Sequence, residues 1–94
     1  MCIIIGDITF DNVFYDREAD VLYLHVGEPS SAVGFDESPE GHHLRFDAQG
    51  RLVGITLVSP RWLIAHDDGV VVTLPHPRRV TIEAATLSPV LSAA

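Results

Sequence analysis

The chain has 94 residues, enough for one small domain, because two halves of this length would each be too small to fold without disulfides or metal. Its hydrophobic fraction of 47% excludes a disordered chain. Thirteen acidic residues face six arginines and no lysine, for a net charge of −7, and no basic stripe for binding nucleic acid is present. We therefore treat residues 1–94 as a single domain with no nucleic-acid partner.

The first half of the chain shows a hydrophobic period of two between turn residues, which predicts antiparallel β structure. We expect strands at residues 8–15 and 21–26, then a loop at 27–31 and a weaker strand at 32–37. The second strand alternates two apolar sets, and we expect both of its faces to be partly covered. These sets are Leu22, Leu24 and Val26 on one face and Val21, Tyr23 and His25 on the other.

The next two strands, predicted at residues 42–46 and 53–57 with a loop at 48–51, fix each other's register. Matching their apolar faces places Phe46 opposite Val53, Leu44 opposite Ile55, Arg45 opposite Gly54, and His43 opposite Thr56. A glycine opposite a long arginine indicates close approach, most simply by the arginine stem.

Beyond residue 58 the pattern changes. Ser59 is expected to cap a helical turn over residues 60–65 with Pro60 in its first position. Three more elements are predicted: a strand over residues 70–74, a short strand over 80–82 and a short helix over 83–91. The predicted fold class is α+β, predominantly antiparallel β, with about six short strands, a helical turn near residues 60–65 and a short C-terminal helix.

One candidate ligand-binding set lies on the predicted strand after residue 42. His43, Arg45 and Asp47 alternate, so they point to one face and could hold a small anion or serve as an interface. A metal would need one more histidine, from the set His25, His66 and His76. His42 is expected to point the other way, beside Leu44. We predict no metal site and no cofactor.

No catalytic residue is predicted. The sequence has no nucleophile elbow, no glycine-rich phosphate loop and no zinc-type histidine pair at helical spacing. His66 beside Asp67 and Asp68 could form an acid–base pair, but the same residues make an ordinary turn. An unrecognised small hydrolase is therefore our third functional hypothesis.

Two motifs carry a family resemblance. Residues 15–23 read YDREADVLY, and residues 40–55 read EGHHLRFDAQGRLVGI. This pair, in this order, resembles the small bacterial family known as domain of unknown function 2283, over about residues 10–58. The resemblance implies a compact β-rich domain with a helix or extra strands at one end. It brings no assigned activity, and it implies an antitoxin-like role with a protein partner.

The acidic residues of these motifs have structural explanations. We expect Asp16 to accept hydrogen bonds from the N–H groups of its turn, and Asp20 to cap the return into the second strand. Glu40 and Arg51 are expected to pair across the end of the sheet. None of these tasks requires a ligand.

The second half of the chain is predicted to carry a partner surface. Residues 1–50 hold ten acids and two arginines, a balance of −8, whereas residues 51–94 hold three acids and four arginines, a balance of +1. The predicted interface residues are Trp62, Leu63, Val70 and Val72. The first hypothesis is thus a non-enzymatic module that self-associates, as a dimer, or binds a protein partner. The second is a metal- or small-anion-binding protein that uses His43, Arg45 and another histidine.

The same sequence predicts a cytoplasmic protein with no membrane partner. Its apolar runs are far shorter than the roughly 20 residues that span a bilayer, and no signal-peptide pattern opens the chain. The single cysteine, Cys2, cannot form an internal disulfide.

Overall fold

The structure is a computed structural model that describes residues 2–28, 32–75 and 78–92. Within these residues the chain forms nine strands and two short helices, arranged in three antiparallel sheets. The predicted class, α+β with mostly antiparallel strands and a helix at the C-terminal end, is confirmed. The seven strands predicted individually become nine, because one of them is divided and a short strand precedes it.

The first hairpin consists of β1 (Ile3–Ile5) and β2 (Ile8–Phe10), which form a separate two-stranded sheet. Gly6 makes its tight turn with a φ of +63°, a conformation that favours glycine. The single strand predicted at residues 8–15 is wrong, since the chain leaves this sheet at Asp11 and enters another. Alternating side chains continue across that break, so periodicity alone does not show it.

The central sheet has five antiparallel strands in the order β3-β4-β7-β6-β5. They are β3 (Asn12–Asp16), β4 (Val21–His25), β5 (Gly34–Glu37), β6 (His43–Phe46) and β7 (Leu52–Val58). The predicted pairs of Leu44 with Ile55, Arg45 with Gly54 and His43 with Thr56 are confirmed. The fourth is wrong: a register shift after Arg45 places Phe46 opposite Leu52.

The rest of the chain supplies α1 (Pro60–His66), β8 (Gly69–Leu74), β9 (Arg78–Glu83) and α2 (Ala84–Ser92). β8 and β9 pair as a hairpin, and both helices pack against β8. β9 is longer than the strand predicted at residues 80–82, and α2 begins one residue later than expected. Pro89 lies inside α2, where it removes one backbone hydrogen bond without ending the helix.

The hydrophobic core takes in one face of the five-stranded sheet. Tyr15, Leu22, Leu24, Leu44, Ile55 and Leu57 are buried on that face. They form one cluster with buried residues of the first hairpin, the β8–β9 hairpin and α2. Elements outside the five-stranded sheet thus complete the core, which a sheet this small needs for stability.

Asp20 ties the sheet to the start of α1. Ser59 holds the predicted N-cap position, but its φ of 57° is left-handed and its side chain makes no cap. Instead the Asp20 carboxylate accepts hydrogen bonds from the backbone N–H groups of Arg61 (3.1 Å) and Trp62 (3.3 Å), and from the Tyr15 hydroxyl (2.7 Å). The helix is therefore capped from another strand turn, not from its own N-cap side chain.

Glu40 makes a second hydrogen-bonded contact between distant parts of the chain. Its carboxylate accepts from the backbone N–H of Thr73 (2.8 Å) and from the Thr73 hydroxyl (2.6 Å), in β8. These bonds lower the pKa of Glu40 to about 2. The expected pairing of Glu40 with Arg51 is wrong, since the Arg51 Nε donates to Asp47 at 2.8 Å within the hairpin loop.

Candidate functional site

The other face of the five-stranded sheet is left open in the part of the chain that the structure describes. Residues paired directly across neighbouring strands share a face. Three adjacent rows form this open face: Phe14, Tyr23, Thr56, His43 and Glu37 in one, Asn12, His25, Gly54, Arg45 and Phe35 in the second, and Asp16, Val21 and Val58 in the third. The expectation that both faces of β4 are partly covered holds, since on this face His25 is buried, Val21 is half-buried and Tyr23 is 38% exposed.

Aromatic side chains dominate the exposed part of the open face. Phe14 is 61% exposed and Phe35 69%, and Tyr23 between them is 38% exposed. Phe14 and Tyr23 stack with their ring centroids 6.0 Å apart. Large aromatic residues grouped on a surface are typical of binding sites rather than of a solvated face.

Gly54 brings His25 and Arg45 together near the middle of the open face. A Cβ built on Gly54 would lie 2.9 Å from His25 Cδ2 and 3.1 Å from Arg45 Cβ. The absence of a side chain at Gly54 therefore makes room for both neighbours. The close approach of the arginine stem, inferred from the sequence, is confirmed, and His25 is the neighbour that sequence reasoning missed.

His25 is buried, with 4% of its surface exposed, yet only one of its two ring nitrogens has a hydrogen-bond partner among the described residues. Nδ1 lies 2.9 Å from the carbonyl oxygen of Val26, which can only accept, so Nδ1 carries a proton. Nε2 is enclosed and has no hydrogen-bond partner among the described residues. A buried polar atom without a partner destabilises the structure, which makes Nε2 the most unusual atom of the open face.

Arg45 lies beside His25 and is half-buried. Its guanidinium sits over the Phe35 ring, 5.7 Å from the centroid. Within the described residues it makes no ion pair with a carboxylate. A cation held only by an aromatic face is available to an anion from another molecule.

Two shallow hollows of about 340 and 320 Å³ adjoin each other on the open face and share the side chains of Tyr23, Arg45 and Thr56. The first also contains His25, Phe14 and Asn12. The second contains His43 and Phe35. Both volumes are near the lower limit of small-molecule sites.

The structure separates the three residues predicted to bind a ligand. His43 and Arg45 lie on the open face, two positions apart on β6. Asp47 is instead held in the hairpin loop, where its carboxylate accepts from the N–H groups of Gln49 (2.9 Å) and Arg51 (2.9 Å). These bonds, that of the Arg51 backbone first, lower the pKa of Asp47. β6 ends at Phe46, so Asp47 lies beyond the strand whose alternation the prediction extended to it.

The other histidines do not join this set. His42 is buried, accepts at Nδ1 from the Val58 N–H at 3.0 Å, and has its pKa lowered by burial. His66 stacks on Trp62 at 4.0 Å, and His76 lies outside the described residues. Among the residues that the structure describes, no three His, Cys, Asp or Glu side chains are grouped as metal ligands would be.

The four predicted interface residues differ in exposure. Val70 and Val72 are 1% and 0% exposed, so they belong to the core of this chain and offer no surface to a partner. Leu63 is partly buried against the same core. Trp62 is 57% exposed on α1 and remains a candidate contact. In the described parts of the chain we find no helix whose length and apolar character would let it cross a membrane.

Comparison of the sequence with known proteins identifies one family. No curated protein and no solved structure matches the chain. A family model described as "Protein of unknown function (DUF2283)" matches residues 12–59, which is just over half of the sequence. That segment contains all five strands of the central sheet and therefore the whole open face. The chain belongs to the DUF2283 family.

Proposed function

We propose that this protein is a non-enzymatic module that self-associates as a dimer through the open face of its five-stranded sheet. The observation that carries the proposal is the group of three exposed aromatic side chains, Phe14, Tyr23 and Phe35, on a face that no described element covers. Burying such rings against another molecule is favourable, and aromatic residues are enriched at the centres of protein interfaces.

The size of the face favours a weak dimer. Five strands about 4.8 Å apart, with about five residues each, make a surface of roughly 24 by 17 Å. Two such faces would bury about 800 Å² in total, which is below the range of standard specific interfaces and in that of weak, transient ones. We therefore expect a dissociation constant in the micromolar range, not an obligate dimer.

Charge on the open face supports a second copy as the occupant. Asp16, on β3, and Arg45, on β6, lie at opposite corners of the face, three strands and four residues apart. A two-fold axis between two such faces, along the other diagonal, brings Asp16 of each copy towards Arg45 of the other. The strands then cross near 90°, which is one of the two common ways in which sheets pack.

Light scattering after size exclusion tests the proposal over protein concentrations from about 1 µM to 1 mM, the range that a micromolar constant requires. The mean mass is expected to rise from that of a monomer to that of a dimer. Phe14→Ser and Phe35→Ser are expected to keep the protein monomeric across this range. A strict monomer at every concentration would overturn self-association.

Two matched variants make the test specific to the open face. Ile4, on β1, is 66% exposed and apolar but lies in a different sheet, so Ile4→Ser is expected to leave dimerisation unchanged. Trp62→Ser tests the surface of α1. If Trp62→Ser prevents association and the two phenylalanine variants do not, the interface is α1 and the proposal is wrong.

A further inference from the structure

The hollow that contains His25 includes one feature that self-association does not explain, the buried Nε2 atom of His25. We define the His25 hollow by the side chains of Asn12, Phe14, Tyr23, His25, Arg45 and Thr56, which surround a volume of about 340 Å³. It joins an aromatic wall, a guanidinium with no carboxylate partner among the described residues, and a buried imidazole nitrogen with no partner.

We propose that the His25 hollow binds a small aromatic hydroxy acid, with the carboxylate on Arg45 and the hydroxyl donating to Nε2 of His25. This is a binding site of the monomer and does not depend on the proposed dimer. The ligand class follows from the three groups that the hollow presents.

His25 selects a hydrogen-bond donor. A proton on Nδ1 would be directed at the carbonyl oxygen of Val26 at 2.9 Å, and in that tautomer Nε2 is the acceptor. A phenolic O–H or a similar donor satisfies that acceptor, whereas a carboxylate does not. Because the unsatisfied nitrogen is present in the free protein, a ligand that donates to it relieves an existing penalty.

Arg45 selects the carboxylate and controls access to Nε2. The Nε2 atom is enclosed, and the stem of Arg45 lies next to the His25 ring across Gly54. The guanidinium is held by its contact with Phe35, 5.7 Å from the ring centroid, which is a weak interaction at an exposed site. A ligand carboxylate attracts the guanidinium, and the movement of the stem opens Nε2 to the ligand hydroxyl.

The walls select a flat ring that carries one negative charge. Phe14 and Tyr23 present stacked aromatic surfaces along the hollow. Asp16 also lines the hollow, on the strand farthest from Arg45, and its charge repels a second carboxylate. A monocarboxylate therefore binds in one orientation, with its acid group towards Arg45.

Three probes separate the contributions of the hydroxyl and the carboxylate to binding. They are 4-hydroxybenzoate, benzoate, which lacks the hydroxyl, and phenol, which lacks the carboxylate. We expect titration of the ¹⁵N-labelled protein to shift the backbone signals of Gly54, His25 and Arg45 with 4-hydroxybenzoate. Benzoate and phenol are each expected to bind about tenfold more weakly, the effect of losing one good hydrogen bond. The Nε2 resonance of His25 is expected to move with 4-hydroxybenzoate and not with benzoate.

Matched variants exclude a nonspecific effect. Arg45→Met is expected to weaken 4-hydroxybenzoate binding about tenfold, whereas Arg79→Met, which removes an exposed arginine from β9, leaves it unchanged. His25→Phe keeps a ring of similar shape but removes Nε2, and its matched control is His66→Phe. Should His25→Phe fail to fold, the Nε2 resonance of the unaltered protein still reports the contact.

Three results would each contradict the proposed binding site. One is that millimolar 4-hydroxybenzoate shifts none of the backbone signals of Gly54, His25 and Arg45. The others are that the three probes bind equally well, or that Arg45→Met and Arg79→Met have equal effects on binding. Titration at two protein concentrations keeps this result separate from dimerisation. Weaker binding at the higher concentration shows that ligand and second copy compete for the face, and it supports both proposals.

Discussion

The two faces of the five-stranded sheet differ in what the chain itself supplies to cover them. On the covered face, Leu22, Ile55 and Leu57 are 0% exposed beneath the hairpins and α2. On the open face, Phe14 and Phe35 are more than half exposed. Both faces carry large apolar side chains, but on the open face Phe14, Tyr23 and Phe35 are interspersed with polar residues. The comparison teaches that the described chain covers one face of the sheet and leaves exposed aromatic side chains on the other.

The largest expected effect is a difference between the faces in stability. Leu57→Ala on the covered face removes a fully buried side chain and is expected to cost about 3 kcal/mol of unfolding free energy. Phe35→Ala on the open face is expected to change it by less than about 0.5 kcal/mol in dilute monomer. Urea unfolding at low protein concentration measures both. Equal losses would show that the open face is packed as tightly as the covered one.

The next largest effect on stability is expected at Asp20, which attaches α1 to the five-stranded sheet. Asp20→Ala removes the carboxylate that caps α1 and accepts from Tyr15, and we expect a loss of about 2 kcal/mol. Asp20 has a φ of 53°, which Asn tolerates better than Ala does, so Asp20→Asn keeps both an acceptor and the backbone conformation. Thermal unfolding should therefore place Asp20→Asn between the parent protein and Asp20→Ala. If the two variants are equally stable, the Asp20 side chain does not act as the cap.

A smaller effect is expected at the centre of the open face. Gly54→Ala would place a Cβ 2.9 Å from His25 Cδ2 and 3.1 Å from Arg45 Cβ, so both side chains must shift. Because the Arg45 Cβ moves only with its backbone and the His25 ring is buried, we expect a cost of at least about 1 kcal/mol, measured by urea unfolding. A matched alanine substitution at Gly34, where the nearest atom is 3.4 Å away, is expected to cost less. The reverse order would mean that His25 and Arg45 are not in close contact with Gly54.

The smallest effect concerns pH and the tie between the sheet and β8. The pKa of Glu40 is lowered to about 2 from 4.5, chiefly by its hydrogen bond from the Thr73 hydroxyl. A carboxyl group with a lowered pKa stabilises the folded state above pH 4.5, and this contribution is lost as the pH falls from 4.5 towards 2. Glu40 is exposed, so solvent screening holds the effect below about 1 kcal/mol.

Unfolding free energies of the parent protein and Glu40→Gln, measured between pH 7 and pH 2, test this tie. The difference between the two proteins is expected to shrink on acidification, because the parent loses a charge that the variant never had. Thr73→Val removes the hydroxyl but keeps the backbone donor, so it should give a smaller difference of the same sign. A difference that does not vary with pH would exclude the charged hydrogen bond.

Local pattern predicts the strands of this fold well where apolar alternation is matched across a hairpin. It places Arg45 opposite Gly54 and His43 opposite Thr56 correctly, because a slip by one residue would turn the apolar set outward. It fails at Phe46, since a bulge shifts the register without breaking the alternation of either strand. The division of residues 8–15 between two sheets escapes it for the same reason.

Hydrogen bonds between residues far apart in the sequence cannot be predicted from local sequence patterns. Asp20 is 41 residues from Arg61, whose N–H it caps, and Glu40 is 33 residues from Thr73, so no local sequence motif predicts either contact. The site is predictable in part: the sequence pattern singles out Arg45 and His43, whereas it offers His25 only as one of three additional histidines. Alternation on β4 assigns a face to His25, but it does not show which face remains open.

The most direct test of the open face as an interface is the concentration dependence of the backbone NMR spectrum of the intact protein. We expect dilution to shift the signals of Phe14, Tyr23, Thr56, Arg45 and Phe35, and to leave those of Trp62 and β8 unchanged. Such a pattern would locate a second copy on the uncovered face. A spectrum that does not change with concentration, or changes confined to α1, would contradict the central claim that the sheet obtains its second cover from another copy.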